Sequence, residues 1–238
     1  MTEPPFLSAT RTAYDAVAVD YAELLTPELR EKPLDRAMLA AFAELVRAAG
    51  LGPIADVGCG PGRVTAHLDA LDVSVFGIDL SPGMVEVARK RNPGLRFEVG
   101  SMTSLDLPDG ELGGVLAWYS IIHVPPELLP TVFAEFHRVS APGGHLLLAF
   151  QTGDERRHIE QAYGHTLSYD AYRLPPEHIA SLLTEAGFVV TARLIREPDL
   201  RWDRVPQAYV LATKPTAIDE KGLPALTAGR AASSRGPR

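Results

Sequence analysis

Three groups of residues in this sequence have types and spacing that suit chemistry. The first lies in Pro53–Gly62, PIADVGCGPG, where Gly58, Gly60 and Gly62 alternate directly after the small and β-branched run Ile54-Ala55-Asp56-Val57. A helical pattern opens at Arg63. Glycine admits φ > 0 and lets a ligand approach main-chain atoms that a Cβ would block. Strand, glycine turn and helix in that order make a nucleotide-binding corner. A dinucleotide fingerprint, G-x-G-x-x-G, would need a small residue where Arg63 stands. The second group is Asp79, at the end of Val75-Phe-Gly-Ile-Asp79. A carboxylate at the tip of a second strand can accept both ribose hydroxyls and would repel a 2′-phosphate. Its alternative role is to cap the turn before Ser81. The third is Trp118-Tyr119-Ser120-Ile-Ile-His123, at the end of a strand where open α/β sheets bind ligands. The ordinary pKa of histidine suits a base at neutral pH, so His123 is the candidate base; the alternative is a histidine that only bonds neighbouring backbone.

The elements that must position these groups are legible from periodicity. Tyr14, Val17, Ala18, Tyr21 and Leu25 mark one helix face over 10–25, after a frayed start at 1–9. Leu34, Ala37, Met38, Ala41, Phe42, Leu45, Val46 and Ala49 mark another helix, ended by Gly50 and Gly52. Both precede the first strand, so they are expected to form a helical cover over 10–50. Strands at 54–58, 74–79, 95–100, 113–119 and 145–151 alternate with helices at 62–71, 82–92 and 126–139, which predicts βαβ units and a mainly parallel sheet. Ser81-Pro82 is a helix start and Pro142-Gly143-Gly144 a tight turn. After a helix at 175–186, strands 188–196 and 207–213 leave no room for a crossover and should pair antiparallel. From 216 to 238 the chain turns to Ala, Gly, Ser, Pro and charge and reads as a mobile tail. One domain over 1–215 is expected.

Asp56-x-Gly58-x-Gly60-x-Gly62, with Asp79 in register, Ala141-Pro-Gly-Gly-x-Leu-Leu-Leu148 and the closing antiparallel pair, resembles the class I S-adenosylmethionine (SAM)-dependent methyltransferases over roughly 10–214. That family's fold is a Rossmann-like seven-stranded, mostly parallel α/β sheet with a C-terminal antiparallel hairpin; here an N-terminal helical lid is added. The resemblance implies SAM as cofactor, S-adenosylhomocysteine as its product, and a loop Gly58-Cys59-Gly60 around the donor. Asp56 resembles the acid that orients that loop and helps bind the methionine ammonium, or it only anchors the loop. Leu80 and Met84 would sandwich the adenine, although Met84 suits a core equally well. Ser101-Met102 stands where the family usually carries an acid that accepts the adenine amino group, so that contact is expected to be weaker, through a hydroxyl. Ile121-Ile122-His123 is in register with the family motif ending in L-H-H. Tyr14-Asp15-Ala16-Val17-Ala18-Val19-Asp20-Tyr21 is similar to segments that fold over the donor. Tyr14, Tyr21 and Trp118 would then line the methionine end, where aromatic faces favour a sulfonium; otherwise the tyrosines are helix core. Tyr14 and Tyr21 join His123 as catalytic candidates. Similar enzymes carry substrate-recognition insertions at the position of 153–174, which assigns the acceptor to Tyr119, His123, His165 and Tyr169. Arg156 and Arg157 could clamp a carboxylate or form a solvated charge run.

Whole-chain properties narrow the function. The 238 residues carry a formal net charge of -7, against a nucleic-acid or anionic-membrane partner. A single cysteine suits a reducing cytoplasm. No apolar run approaches a membrane span, and the start does not resemble a signal peptide. The seven histidines are scattered and Cys59 stands alone, so no metal is expected; no G-x-S-x-G of a serine hydrolase is present. The expectation is a cytoplasmic enzyme, monomer or homodimer, methylating O, N or C of a small aromatic or amphipathic metabolite such as a bacterial natural product. Indole C3 methylation is one alternative. Rivals of other classes are a macromolecular methyltransferase, a non-catalytic SAM-binding regulator and a dehydrogenase.

Overall fold

We describe residues 3–216 from a computed structural model. The chain runs α1 (Pro5–Leu24), α2 (Glu28–Glu31), α3 (Pro33–Ala49), β1 (Ile54–Val57), α4 (Arg63–Asp69), β2 (Val75–Asp79), α5 (Pro82–Arg91), β3 (Phe97–Val99) and β4 (Leu112–Trp118). Then follow α6 (Leu129–Val139), β5 (Ser140–Gln151), β6 (Arg156–Ala162), β7 (His165–Tyr172), α7 (Pro176–Glu185), β8 (Val189–Arg196) and β9 (Gln207–Thr213). Seven strands form one sheet in the order β3-β2-β1-β4-β5-β9-β8. The first five are parallel, and β9 and β8 close the sheet antiparallel, as expected from the missing crossover. The order reverses between β1 and β4, and ligands of such sheets bind in the crevice outside the strand ends there.

Buried apolar strands need a helix layer on each face. On one face Phe133, Phe136, Val139, Ile179 and Leu183 of α6 and α7 pack on Val115, Leu146, Leu148 and Val210. On the other, Leu39, Phe42, Ala43 and Val46 of α3 pack with Leu68 of α4 on Ile54, Leu116 and Leu147. This corrects the expectation that both leading helices are a cover: α3 is a sheet layer, and only α1 lies over the crevice. The buried stripe of α3 is rotated accordingly, with Asp35 and Leu39 inside while Leu34 and Leu45 are exposed.

Three further boundaries differ from the sequence reading. Helix α1 starts at Pro5, a proline in its first turn, so residues 5–9 are helical rather than frayed. Strand β5 begins at Ser140, paired with Leu112, and Pro142-Gly143-Gly144 form a bulge within it instead of a turn before it. Gly143 sits there at φ 86. The segment 153–174 folds as an antiparallel hairpin, β6–β7, in a sheet of its own. The proposed tail beyond residue 216 lies outside the described residues.

Helix α1 is docked by specific polar groups. Asp15 accepts Ser81 Oγ–H at 2.6 Å and Gly83 N–H at 2.8 Å, while Ser81 Oγ caps α5 by accepting Met84 N–H at 3.0 Å. Beneath these bonds Ala13, Val17 and Ala18 bury against Met84, Leu167 and Tyr169, which joins α1 to α5 and β7. Because α3 is part of the core, Phe42→Ala should lower the unfolding free energy by about 3–5 kcal/mol in urea titration. A change below about 1 kcal/mol would mean that α3 is a detachable cover after all.

Candidate active site

The glycine corner is shaped by contacts as well as by dihedral freedom. Gly58 has φ 78, and a Cβ there would lie 2.2 Å from Cβ of Ser120. Gly60 has φ 55, but its Cβ position is open except for the Tyr21 ring at 3.9 Å. So Gly58 is required by packing against the end of β4, whereas Gly60 leaves its backbone open toward a cavity. Asp79 holds the turn before Ser81 and also lines the cavity. Its Oδ2 accepts Gly60 N–H at 2.7 Å and its Oδ1 accepts Ser81 N–H at 2.8 Å, and the carboxyl still lines the cavity.

That cavity has an empty volume of about 700 Å³, which includes the space at its open mouth. It brings together Tyr14, Tyr21, Gly58, Gly60, Asp79, Leu80, Met84, Ser101, Met102, Trp118, Tyr119 and His123, all expected from sequence. Met84 is fully buried where α1 meets α5, so it serves the core as well as the cavity wall. Ser101 Oγ shares a hydrogen bond of 2.8 Å with Thr103 Oγ1. A second cavity of about 320 Å³ adjoins through Tyr21, Gly58, Gly60 and Trp118 and adds Asp56, Cys59 and Arg63. The Cys59 thiol itself packs with Val85, Ala88 and Phe97, so its side chain belongs to a core cluster.

Burial sets the protonation of the site. The Asp56 carboxyl is pushed up to about 7, by desolvation first, although Thr65 donates to its Oδ2 at 2.6 Å. Asp56 Oδ1 is buried without a partner. Asp79 is pushed up to about 6, again by desolvation, against the pull of the Ser81 and Gly60 N–H groups. Burial lowers His123 to about 4, offset only in part by the Asp170 backbone. His123 is therefore neutral at pH 7. Its Nε2 lies 2.8 Å from Tyr14 Oη, and its Nδ1 is buried. Desolvation raises the Tyr14 phenol well above its ordinary value and takes Tyr21 to about 12. Tyr14 thus keeps its proton and can donate it to Nε2.

Two acceptor candidates stand elsewhere. His165 is not at the cavity: its Nε2 meets Asp20 Oδ2 at 2.6 Å on the outer side of α1, where it ties the hairpin to the helix. Tyr169 stands behind the cavity, with its ring centroid 5.6 Å from that of Tyr14 and 5.5 Å from that of His123. Conversely, Phe6, Leu7 and Thr10 line the cavity without being singled out from sequence, the first two because 1–9 read as frayed. Their signal was the four-residue spacing of Phe6, Thr10 and Tyr14, which continues the α1 face upstream. Arg63, read only as the residue that breaks a dinucleotide motif, lines the second cavity and pairs with Glu28 at 2.8 Å. Among the described residues no group of three or more His, Cys, Asp and Glu side chains could hold a metal ion.

A reversing parallel sheet with a glycine turn after β1 and an acid after β2 defines a Rossmann-like nucleotide-binding fold. Residues 54–144 match the family model of the methyltransferase domain, which supports reading the chain as a class I SAM-dependent methyltransferase. It is 30% identical over 151 residues to a demethylmenaquinone methyltransferase of Beutenbergia cavernae, covering 63% of this chain and 61% of that protein. It is likewise 30% identical over 179 residues to an O-methyltransferase of Pyrenophora dematioidea, covering 71% of this chain and 62% of that one. In neither case does it span two thirds of the relative. Among solved structures, the complex of DhpI with S-adenosylhomocysteine superposes with a TM-score of 0.68 at 18% identity, covering 91% of this chain and all of that one, which is a likeness of fold.

The residues present fit the donor of this family. The unpaired Oδ1 of Asp56 and the Arg63 guanidinium share a cavity suited to the ammonium and carboxylate of an amino acid. Asp79 offers a carboxyl to vicinal hydroxyls, and Leu80, Met84 and Met102 offer apolar contact to a base. Ionised, these two carboxylates would favour a cationic donor, and desolvation delays their ionisation to about pH 6 and about pH 7. Donor affinity should therefore fall at least about tenfold (~1.4 kcal/mol) between pH 8 and pH 5 in calorimetric titration. Asp56→Asn should flatten the upper part of that dependence; an affinity indifferent to pH would refute the assignment.

Proposed function

We propose that this protein transfers the methyl group of SAM to a small aromatic metabolite, acting as a cytoplasmic enzyme of natural-product type. The observation that carries this reading is the Tyr14–His123 pair, 2.8 Å apart, on the wall of the cavity that also holds Gly60 and Asp79. Bound SAM supplies a methyl group already activated on a sulfonium, so the protein's task is alignment and, where the acceptor must lose a proton, its removal. Tyr14, Tyr21 and Trp118 present aromatic faces that favour a cationic centre. Neutral His123 receives the proton of Tyr14 at Nε2 while Tyr14 Oη takes one from the acceptor.

This pair also supports the narrower reading of methylation at a ring carbon such as indole C3. There, loss of the ring N–H proton raises the electron density at the carbon, and a buried Tyr–His pair suits that task. A screen of phenols, indoles and amines with SAM, read by the mass gain of one CH₂ group, decides between O, N and C acceptors. SAM binding with no turnover on any acceptor would favour the non-catalytic regulator.

With an acceptor in hand, His123→Gln and Tyr14→Phe should each lower kcat about a hundredfold with SAM affinity nearly unchanged. Because burial holds His123 neutral down to about pH 4, kcat at saturating donor should not drop between pH 8 and pH 6. A loss centred near the ordinary histidine value would refute His123 as a desolvated base.

A further inference from the structure

A third cavity lies on the other side of His123, between the first turns of α1 and the β6–β7 hairpin, with an empty volume of about 670 Å³. Phe6, Thr10 and His123 line both this cavity and the donor cavity, so these side chains are the partition between them. Its apolar wall is Pro5, Phe6, Ala9, Tyr169 and Tyr172. Its polar side is built from the hairpin. His158 Nδ1 lies 2.9 Å from Asp170 Oδ1 and its Nε2 lies 3.4 Å from Ser168 Oγ, so the imidazole is held from both ends. Arg156 pairs with the same Asp170 at 3.1 Å.

The floor of this cavity is His123, which the donor cavity shares. Charge narrows the ligand further. Asp170 is the one carboxylate among the lining residues, none is lysine or arginine, and Arg156 pairs with it. The cavity has aromatic walls, hydrogen-bonding groups on the hairpin side, and no unmatched full charge.

We propose that this cavity is the acceptor chamber, and that it selects an uncharged planar ring bearing one hydrogen-bonding group, held by His158 and Ser168 at the mouth and delivered past Phe6 to the Tyr14–His123 pair. The proposal rests on the methyltransferase reading above. It places acceptor recognition at His158 and Ser168 rather than at His165, which faces Asp20.

The test uses the full chain loaded with S-adenosylhomocysteine, and indole as the probe, with indole-3-acetate and tryptamine as its anionic and cationic counterparts. Binding is measured by calorimetry and by ligand-observed saturation transfer. Indole should bind at least about fivefold tighter than either charged counterpart. His158→Ala and Ser168→Ala should weaken it at least about threefold each, with S-adenosylhomocysteine affinity and melting temperature unchanged. Ala9→Trp, which fills this chamber from a residue that does not line the donor cavity, should abolish indole binding and spare the donor. Charged ligands binding as well as indole, or indole failing to bind donor-loaded protein, would overturn the selection rule. Indole binding indifferent to all three substitutions would overturn the location. Failure to bind S-adenosylhomocysteine at all would instead overturn the donor assignment on which the proposal rests.

Discussion

Gly58 and Ser120 are packed so closely that a single methyl group does not fit between them. The rest of the site depends on this contact, because it locks the turn after β1 to the end of β4. Ser120 Oγ reinforces it by donating to the Val57 carbonyl at 2.7 Å. Between them the chain must change direction sharply, and it does so at Tyr119, a non-glycine residue with φ 56. That left-handed conformation costs a tyrosine about 1 kcal/mol or more. Tyr119 N–H donates to Ala149 O at 2.8 Å, and the phenol reaches Tyr209 Oη at 3.4 Å, so the surroundings hold the strained turn in place. His123 follows within one short 3-10 turn. The donor corner and the base are therefore parts of one rigid frame rather than two loops that happen to meet.

Behind that frame a chain of charges is buried at unusual depth. Tyr209 donates to Asp35 at 2.6 Å, Arg196 reaches both Tyr209 and Asp203, and Lys32 bridges Asp203 and Glu28. Glu28 ends the chain on Arg63. Three acids face three bases, so no full charge is left unmatched. Removing one partner of such a set costs more than the set contributes, since it strands the other charge in a poorly solvated place. The network links α2, α3, β8 and β9 to the two cavities. It thereby connects the antiparallel end of the sheet to a site on its parallel half.

Local rules made much of this legible in the sequence, and non-local packing hid the rest. Gly58, Gly60 and Asp79 could be placed because strand, turn and helix follow one another within a few residues. The antiparallel pairing of β8 and β9 followed from the lack of a crossover. By contrast, the periodicity of α3 says that one face is apolar, not which surface receives it, and the face buried on the sheet is turned from the one read. Residues 1–9 read as a frayed start, yet proline is compatible with the first turn of a helix, so Phe6 was overlooked. On the hairpin the difficulty is parity. His158 and His165 are equally plausible in sequence, and only the register that sets His158 opposite Asp170 and His165 opposite Ala162 decides which one meets a cavity.

The lid and the donor loop are coupled through a short span of chain. Asp79 and Ser81 are two residues apart; the first lines the donor cavity and the second binds Asp15 of α1. Asp15 also takes the Gly83 N–H, so it holds the N-terminal turn of α5 where the positive end of the helix dipole favours an acid. Whatever orders residues 79–83 therefore also seats α1, and seating α1 brings Tyr14 to His123 and closes the partition formed by Phe6 and Thr10. Desolvation makes the Asp56 and Asp79 carboxyls less acidic and the His123 imidazole less basic. A site desolvated in this way keeps its base unprotonated at neutral pH and below, while a bound cation would favour the ionised form of the two carboxyls.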